Sequence, residues 1–267
     1  MGHRLSTVFK SCRAQGETAL IAYLTSGYPN TAETVDLAVA AVEAGADVIE
    51  FGVPFSDPMG DGPVIQASSH TALAGGVTLP LVLEHVAGIR ERGIEAPIAL
   101  MGYCNPFLRF GYERLAREAV AAGADALVVP DLPAHEADDL IAPARDHGLD
   151  TVFFAAPGSG PDRVAATAER TTGFLYCLAT DGVTGARDDL DPRLTGFLSR
   201  TRALTDVPLA VGFGISAPDH VRALHGLSDG VIVGSALVRA IGEGRGPAQR
   251  AARAAELIGR LKAAAHG

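Results

Sequence analysis

Glu43-Ala-Gly-Ala-Asp-Val-Ile-Glu50 reads as the end of a helix, a glycine turn and the entry into an apolar strand. The passage returns as Ala121-Ala-Gly-Ala-Asp-Ala-Leu-Val128, with a weaker relative in Leu227-Ser-Asp-Gly-Val-Ile-Val233. Such an echo points to a βα unit used repeatedly rather than to a solenoid of strict short period. Working outward, strand-like runs fall at Ala19–Leu24, Val48–Phe51, Ile98–Gly102, Ala126–Val129, Thr151–Ala155, Phe174–Leu178, Leu209–Phe213 and Gly230–Gly234. Their near-continuous hydrophobicity suits a parallel sheet covered on both faces by helices. Of the intervening stretches, Thr34–Ala44 and Tyr112–Ala122 show helical character best. Eight such strands predict an α/β fold, a closed (β/α)₈ TIM barrel with extra helices; a doubly wound sheet is the alternative.

The composition sets bounds on this reading. A chain of 267 residues with a 48% hydrophobic share can bury one substantial core. Its 31 glycines and 16 prolines are dispersed between apolar runs, so a single barrel domain over residues 1–267 is expected. With Lys+Arg at 22 against Asp+Glu at 31, the net charge of -9 argues against a nucleic-acid surface. Cys12, Cys104 and Cys177 are too few and too scattered for a disulfide framework or a cysteine metal site. No run approaches the roughly 20 apolar residues that span a bilayer, and no signal-peptide pattern opens the chain. A cytoplasmic enzyme without a membrane role is therefore expected.

Chemistry concentrates in Asp47-Val-Ile-Glu-Phe-Gly-Val-Pro-Phe-Ser-Asp-Pro-Met-Gly-Asp-Gly-Pro63. Glu50 ends an otherwise apolar strand, and Asp57 and Asp61 follow in a loop rich in glycine and proline. Burying a carboxylate costs several kcal/mol unless it is paired or neutralised, so catalysis explains Glu50 better than a loop-capping role does. A partly buried Glu has its pKa raised, whereas an Asp held by backbone N–H groups stays ionised. In a barrel, Glu50, Asp61, Tyr103, Asp131 and Tyr176 all fall near the carboxyl-terminal strand ends, where active sites open. Gly182-Val-Thr-Gly185, Gly212-Phe-Gly-Ile-Ser216 and Gly234-Ser-Ala236 follow the last three strands, where backbone N–H groups of glycine turns can take a phosphate. Ordinary turn chemistry is the competing account of these glycines. Tyr103 and Tyr176 are candidates to flank an aromatic substrate and Phe213 to add an apolar wall, against simple packing. Tyr23, Leu100, Leu127, Phe154 and Leu178 are possible pocket linings, mostly core. The sequence contains no HExxH, Cys/His metal spacing, GxSxG elbow or GxGxxG dinucleotide fingerprint.

Taken together, Phe51-Gly-Val-Pro-Phe-Ser-Asp-Pro-Met-Gly-Asp-Gly-Pro-Val-Ile-Gln66, Met101-Gly-Tyr-Cys-Asn-Pro-Phe107, Gly182-Val-Thr-Gly185, Gly212-Phe-Gly-Ile-Ser216 and Gly234-Ser-Ala236 resemble the tryptophan synthase alpha subunit family along nearly the whole chain. The resemblance implies a (β/α)₈ lyase that cleaves indole-3-glycerol phosphate into indole and glyceraldehyde 3-phosphate. It implies a PLP-dependent beta subunit as partner, while the alpha chain itself needs neither cofactor nor metal. By the same resemblance Glu50 moves the protons and Asp61 holds the indole N–H. Gly185, Gly214, Gly234 and Ser235 bind phosphate, Thr184 orients Asp61 on closure, and Tyr176 helps orient the substrate. Pro54, Phe55, Asp57 and Asn105 lie on loops that face the beta subunit.

One departure stands out. Where the family has a serine, an arginine and a variable residue before Gly-Val-Thr-Gly, this chain has Ala179, Thr180 and Asp181. The lost positive charge leaves two further readings: a standalone indole-3-glycerol-phosphate lyase, and a catalytically weak alpha-like module that binds or regulates a partner. Intact Glu50 and Asp61 argue against the second.

Overall fold

Nine parallel strands form one sheet: β1 (Ala19–Thr25), β2 (Val48–Gly52), β3 (Ile98–Met101), β4 (Ala126–Val128), β5 (Asp150–Val152), β6 (Phe154–Ala155), β7 (Leu175–Leu178), β8 (Leu209–Gly212) and β9 (Gly230–Val233). The structure is a computed structural model that describes residues 4–179, 193–212 and 214–266. The strand order is β5-β4-β3-β2-β1-β9-β8-β7-β6. First and last strands pair, Ala19 opposite Gly230 through Ala22 opposite Val233, which a doubly wound sheet with two free edges does not do. The two ends of that order, β5 and β6, are separated in sequence only by Phe153. The sheet therefore curls back on itself as the expected (β/α)₈ barrel, its fifth strand entered in two pieces.

That break departs from the continuous strand expected over Thr151–Ala155. Phe153 is buried against Ala134 and Ala137 outside the barrel, while its carbonyl still accepts from Tyr176 N–H at 2.9 Å. Packing of one side chain thus interrupts the ladder without opening the wall.

Two concentric cores follow from the period-two alternation of strand side chains. Ala19, Ile21 and Tyr23 of β1 and Val48 of β2 point inward, whereas Leu20, Ala22 and Leu24, with Ile49 and Phe51, face the helices. Leu100 and Leu127 belong to this outer set, and Met101 to the inner one. The pocket-lining role considered for Leu100 and Leu127 is thereby corrected: continuous apolar runs hide which parity faces inward. Helix Arg4–Gln15 adds Leu5, Phe9 and Cys12 to the inner core.

The sequence echo has a structural counterpart at the amino-terminal rim. Gly45 and Gly123 follow their helices with φ of +109° and +100°, backbone that side chains with a Cβ rarely adopt. The aspartates that come next are equivalent. Asp47, Asp125 and Asp229 accept from the backbone N–H of Leu20, Ile98 and Leu209 at 2.7, 2.8 and 2.7 Å. Each returns its own N–H to the carbonyl of the same residue at 2.8 Å. Each is also neutralised by a base: Lys262 for Asp47, Arg90 and Arg4 for Asp125, and Arg202 and Arg13 for Asp229. These clamps fasten neighbouring strands at the end opposite the candidate site.

Candidate functional site

Glu50 continues the inward register of Val48 and opens into a cavity at the carboxyl-terminal mouth. It is completely buried, and among the described residues neither carboxylate oxygen has a hydrogen-bond partner. Burial, and secondarily the nearby Asp61, push its pKa up to about 8. An uncompensated charge here would be expensive, so the group holds its proton at neutral pH.

Asp61 reaches the same cavity from the loop after β2, two residues before helix Pro63–Ala74. Its backbone N–H donates to Pro58 O at 3.0 Å and its carbonyl accepts from Gln66 Nε2 at 2.8 Å, which fixes the loop tip. Burial raises its pKa to about 6, against the opposing hydrogen bond from Tyr103. Among the described residues a phenol, rather than the expected backbone N–H groups, thus supports this carboxylate. The order of the two acids nevertheless agrees with the sequence reading: near pH 7 Glu50 is protonated and Asp61 ionised.

Tyr103 stands behind Asp61. Its hydroxyl accepts from Gly60 N–H at 3.0 Å and donates to the Asp61 carboxylate, and its ring lies 5.4 Å from Phe55. Tyr103→Phe is expected to leave Asp61 less stabilised as an anion, moving the acid limb of the rate profile to higher pH. A hydrogen bond to a charged group contributes about 1.5–3 kcal/mol, so turnover near pH 6 should fall roughly tenfold or more. An unmoved acid limb in kcat/KM against pH would remove Tyr103 from this role.

Tyr176 forms the opposite wall, stacked on Phe154 at 4.4 Å and 24°. Tyr23, Ile65, Met101 and Ile232 add to the lining. Phe154 and Leu178, also weighed as linings, border a neighbouring depression with Asp131 and His135. Gly214, Gly234 and Ser235 meet in the same cavity as the two acids, from the turns after β8 and β9. Ser235 begins helix Ser235–Gly242, so backbone donors of its first turn lie at this end of the cavity. Thr184, Gly185 and Phe213, together with Thr180 and Asp181, lie outside the described residues; Ala179 is buried. Ile65, Met101 and Ser216 were not singled out from sequence, although each lies within or beside a quoted motif.

Two acids of raised and unequal pKa share a cavity with glycine turns at the carboxyl-terminal mouth of a (β/α)₈ barrel, the end at which enzymes of this fold open their active sites. The family model for the tryptophan synthase alpha chain matches residues 9–266. The chain belongs to that family. It is 49% identical over 259 residues to the tryptophan synthase alpha chain of Roseiflexus castenholzii, covering 97% of this chain and 99% of that one. The alpha chain of Chloroflexus aggregans is 43% identical over 262 residues, covering 98% of each. Among solved structures, tryptophan synthase from Mycobacterium tuberculosis superposes with a TM-score of 0.92 at 41% identity, covering 100% of both chains.

Proposed function

We propose that Glu50 and Asp61 carry out the family's lyase reaction, cleavage of indole-3-glycerol phosphate to indole and glyceraldehyde 3-phosphate. The observation that carries this reading is the fully buried Glu50 carboxyl, unpartnered among the described residues, beside a second acid of lower pKa. Glu50 donates its proton to indole C3, which turns the ring into an electron sink with a cationic N–H. Asp61, ionised, accepts a hydrogen bond from that N–H and stabilises the developing charge. The bond between C3 and the glycerol carbon then breaks, its electrons restoring the indole ring. The adjacent hydroxyl becomes the aldehyde and returns its proton to the Glu50 carboxylate.

The sign of the pH dependence follows. Turnover needs Glu50 protonated, so it is lost as pH rises through about 8. It needs Asp61 ionised, so it is lost as pH falls through about 6. A bell-shaped kcat/KM profile bounded by these limbs is expected. Direct analysis of both products, using the purified chain with and without a PLP-dependent beta subunit, tests the assignment. Absence of indole under saturating substrate in both arms would sink it.

Gly214, Gly234 and Ser235 take the substrate phosphate, supported by their convergence on the cavity and by the helix start at Ser235. Ser235→Ala is expected to raise KM several-fold with a smaller change in kcat, since it removes one donor of about 1 kcal/mol from both bound states. Dephosphorylated substrate should bind far more weakly; equal affinity would defeat this placement.

A beta subunit docks over the same mouth. Met59, in the loop after β2, is 84% exposed, and Leu108, on helix Cys104–Phe110 after β3, is 58% exposed. Two large apolar side chains left in solvent on adjacent rim segments favour a covering partner over a chain that works alone. Among the described residues, no single helix is long and apolar enough to cross a membrane.

A further inference from the structure

Tyr23 is opposite Glu50 in the β1–β2 register, and both side chains enter the same cavity. Two residues beyond Glu50 on the same face is Gly52, where a Cβ would collide with the Tyr23 hydroxyl. The phenol oxygen thus occupies the space a side chain would fill next to Glu50 on β2. Behind it runs a buried file of hydroxyls. Thr25 Oγ1 lies 3.3 Å from Tyr23 OH and 2.7 Å from Ser68 Oγ, and Ser68 Oγ lies 2.8 Å from the Ile65 carbonyl oxygen. Tyr23, Thr25 and Ser68 are all at most 4% exposed.

Each hydroxyl in this file has one proton; in the structure Thr25 donates to the Tyr23 hydroxyl, and a second order follows when the phenol turns to donate to Thr25 instead. In that turned order, Tyr23 donates to Thr25, Thr25 to Ser68 and Ser68 to the Ile65 carbonyl; the phenol oxygen then offers lone pairs to the cavity. In the other, Ser68 donates to Thr25 and Thr25 to Tyr23, and the phenol proton points into the cavity. The turned order suits a carboxylic acid, which donates. The other suits a carboxylate, which only accepts.

We propose that Tyr23 is a positioning residue for Glu50: backed by Thr25 and Ser68, its hydroxyl accepts from the acid and donates to the carboxylate through one water, reversing as Glu50 loses and regains its proton. This rests on the reading that Glu50 cycles a proton, and it deepens that reading by giving both protonation states a partner. The other titratable groups facing Glu50 among the described residues are Asp61, from the loop after β2, and Tyr176, from β7; Tyr103 acts on it through Asp61. Asp61 and Tyr103 also act on the Tyr23 phenol through charge, so the substitutions that address the file are those at Thr25 and Ser68, which leave Tyr23, Asp61 and Tyr103 in place.

The test is titration of Glu50 in the ligand-free full chain by ¹³C NMR of carboxyl-labelled glutamate, with Glu50→Gln assigning the resonance. Tyr23→Phe removes the donor to the carboxylate and is expected to raise the Glu50 midpoint, on the order of one pH unit. Thr25→Val removes the competing acceptor of the phenol proton, so the proton turns to Glu50 and the midpoint falls. Ser68→Ala leaves Thr25 only Tyr23 to donate to, and lowers the midpoint likewise should Thr25→Val fail to fold. Thr25→Ser keeps the hydroxyl and should restore the parental titration. Opposite shifts for Tyr23→Phe and the Thr25 or Ser68 variants establish the reversal; shifts in one direction, or none, overturn it. Product analysis on the same proteins separates the two claims: a parent that titrates as expected but releases no indole sinks the lyase reading and leaves the hydroxyl file standing.

Discussion

Glu50→Gln is expected to lower kcat by about 10²–10⁴-fold, the range over which a positioned acid–base group acts, while leaving substrate affinity within a few-fold. Gln keeps the shape of the side chain and loses only the transferable proton. The variant should also be the more stable protein, which distinguishes loss of chemistry from loss of fold. Glu50 titrates near 8 in the folded chain, against an ordinary value of 4.5. Between those limits the unfolded chain has released this proton and the folded chain still holds it, so parental stability falls as pH rises through that window. A neutral Gln has no such dependence. The melting temperature of Glu50→Gln should therefore gain on the parent progressively from about pH 5 to pH 8 and level off above. Circular dichroism melts across pH, read beside kcat and KM, decide the matter. A folded variant with near-parental kcat would remove Glu50 from the reaction, and parallel stability curves would contradict its burial as a neutral acid.

The same burial explains what could be read in advance. A carboxylate inside the run Val48-Ile-Glu-Phe-Gly52 is conspicuous because every neighbour is apolar, and the strands stand out because both of their faces are covered. That double covering also conceals detail. In Ile98-Ala-Leu-Met101 no polar residue marks the parity, so Leu100 was weighed as a lining and Met101 was not, whereas the barrel turns Met101 inward and Leu100 toward the helices. Thr151-Val-Phe-Phe-Ala155 contains no glycine or proline to announce the break at Phe153, which arises from contacts with Ala134 and Ala137. Tyr103 could be placed near the mouth but not behind Asp61, since that pairing spans two βα units and depends on the loop tip at Gly60. The echo of Asp47, Asp125 and Asp229 was legible as a repeat. Its purpose was not, because Lys262 lies 215 residues from Asp47.

Asp125→Ala is expected to be the most damaging of the substitutions away from the site. The carboxylate, 10% exposed, receives Arg90 Nη2 at 2.7 Å, Arg4 Nη1 at 3.0 Å and the Ile98 backbone N–H at 2.8 Å. Truncation strands a strand N–H and takes from the Arg90 guanidinium, itself 14% exposed, its paired carboxylate, leaving it only the carbonyls of Ile94, Ala96 and Gly123 and the more distant Glu95. Breaking a buried pair from one side costs about 3–5 kcal/mol. For a chain of this size that is a fall of roughly 6–20 °C in melting temperature. Asp36 supplies the control. Its 2.6 Å pair with Arg92 is as short, but the two side chains are 63% and 52% exposed. Solvent screens that interaction, so Asp36→Ala should cost at most about 1 kcal/mol. Because Asp125 precedes β4 at the rim opposite the mouth, kcat and KM of its variant should match the parent well below the melting transition. Equal melting losses for the two variants would show that the clamp is no stronger than a surface pair. A large change in kcat with an intact fold would mean that the amino-terminal rim reaches the chemistry, and the separation of stability from catalysis along the barrel axis would have to be abandoned.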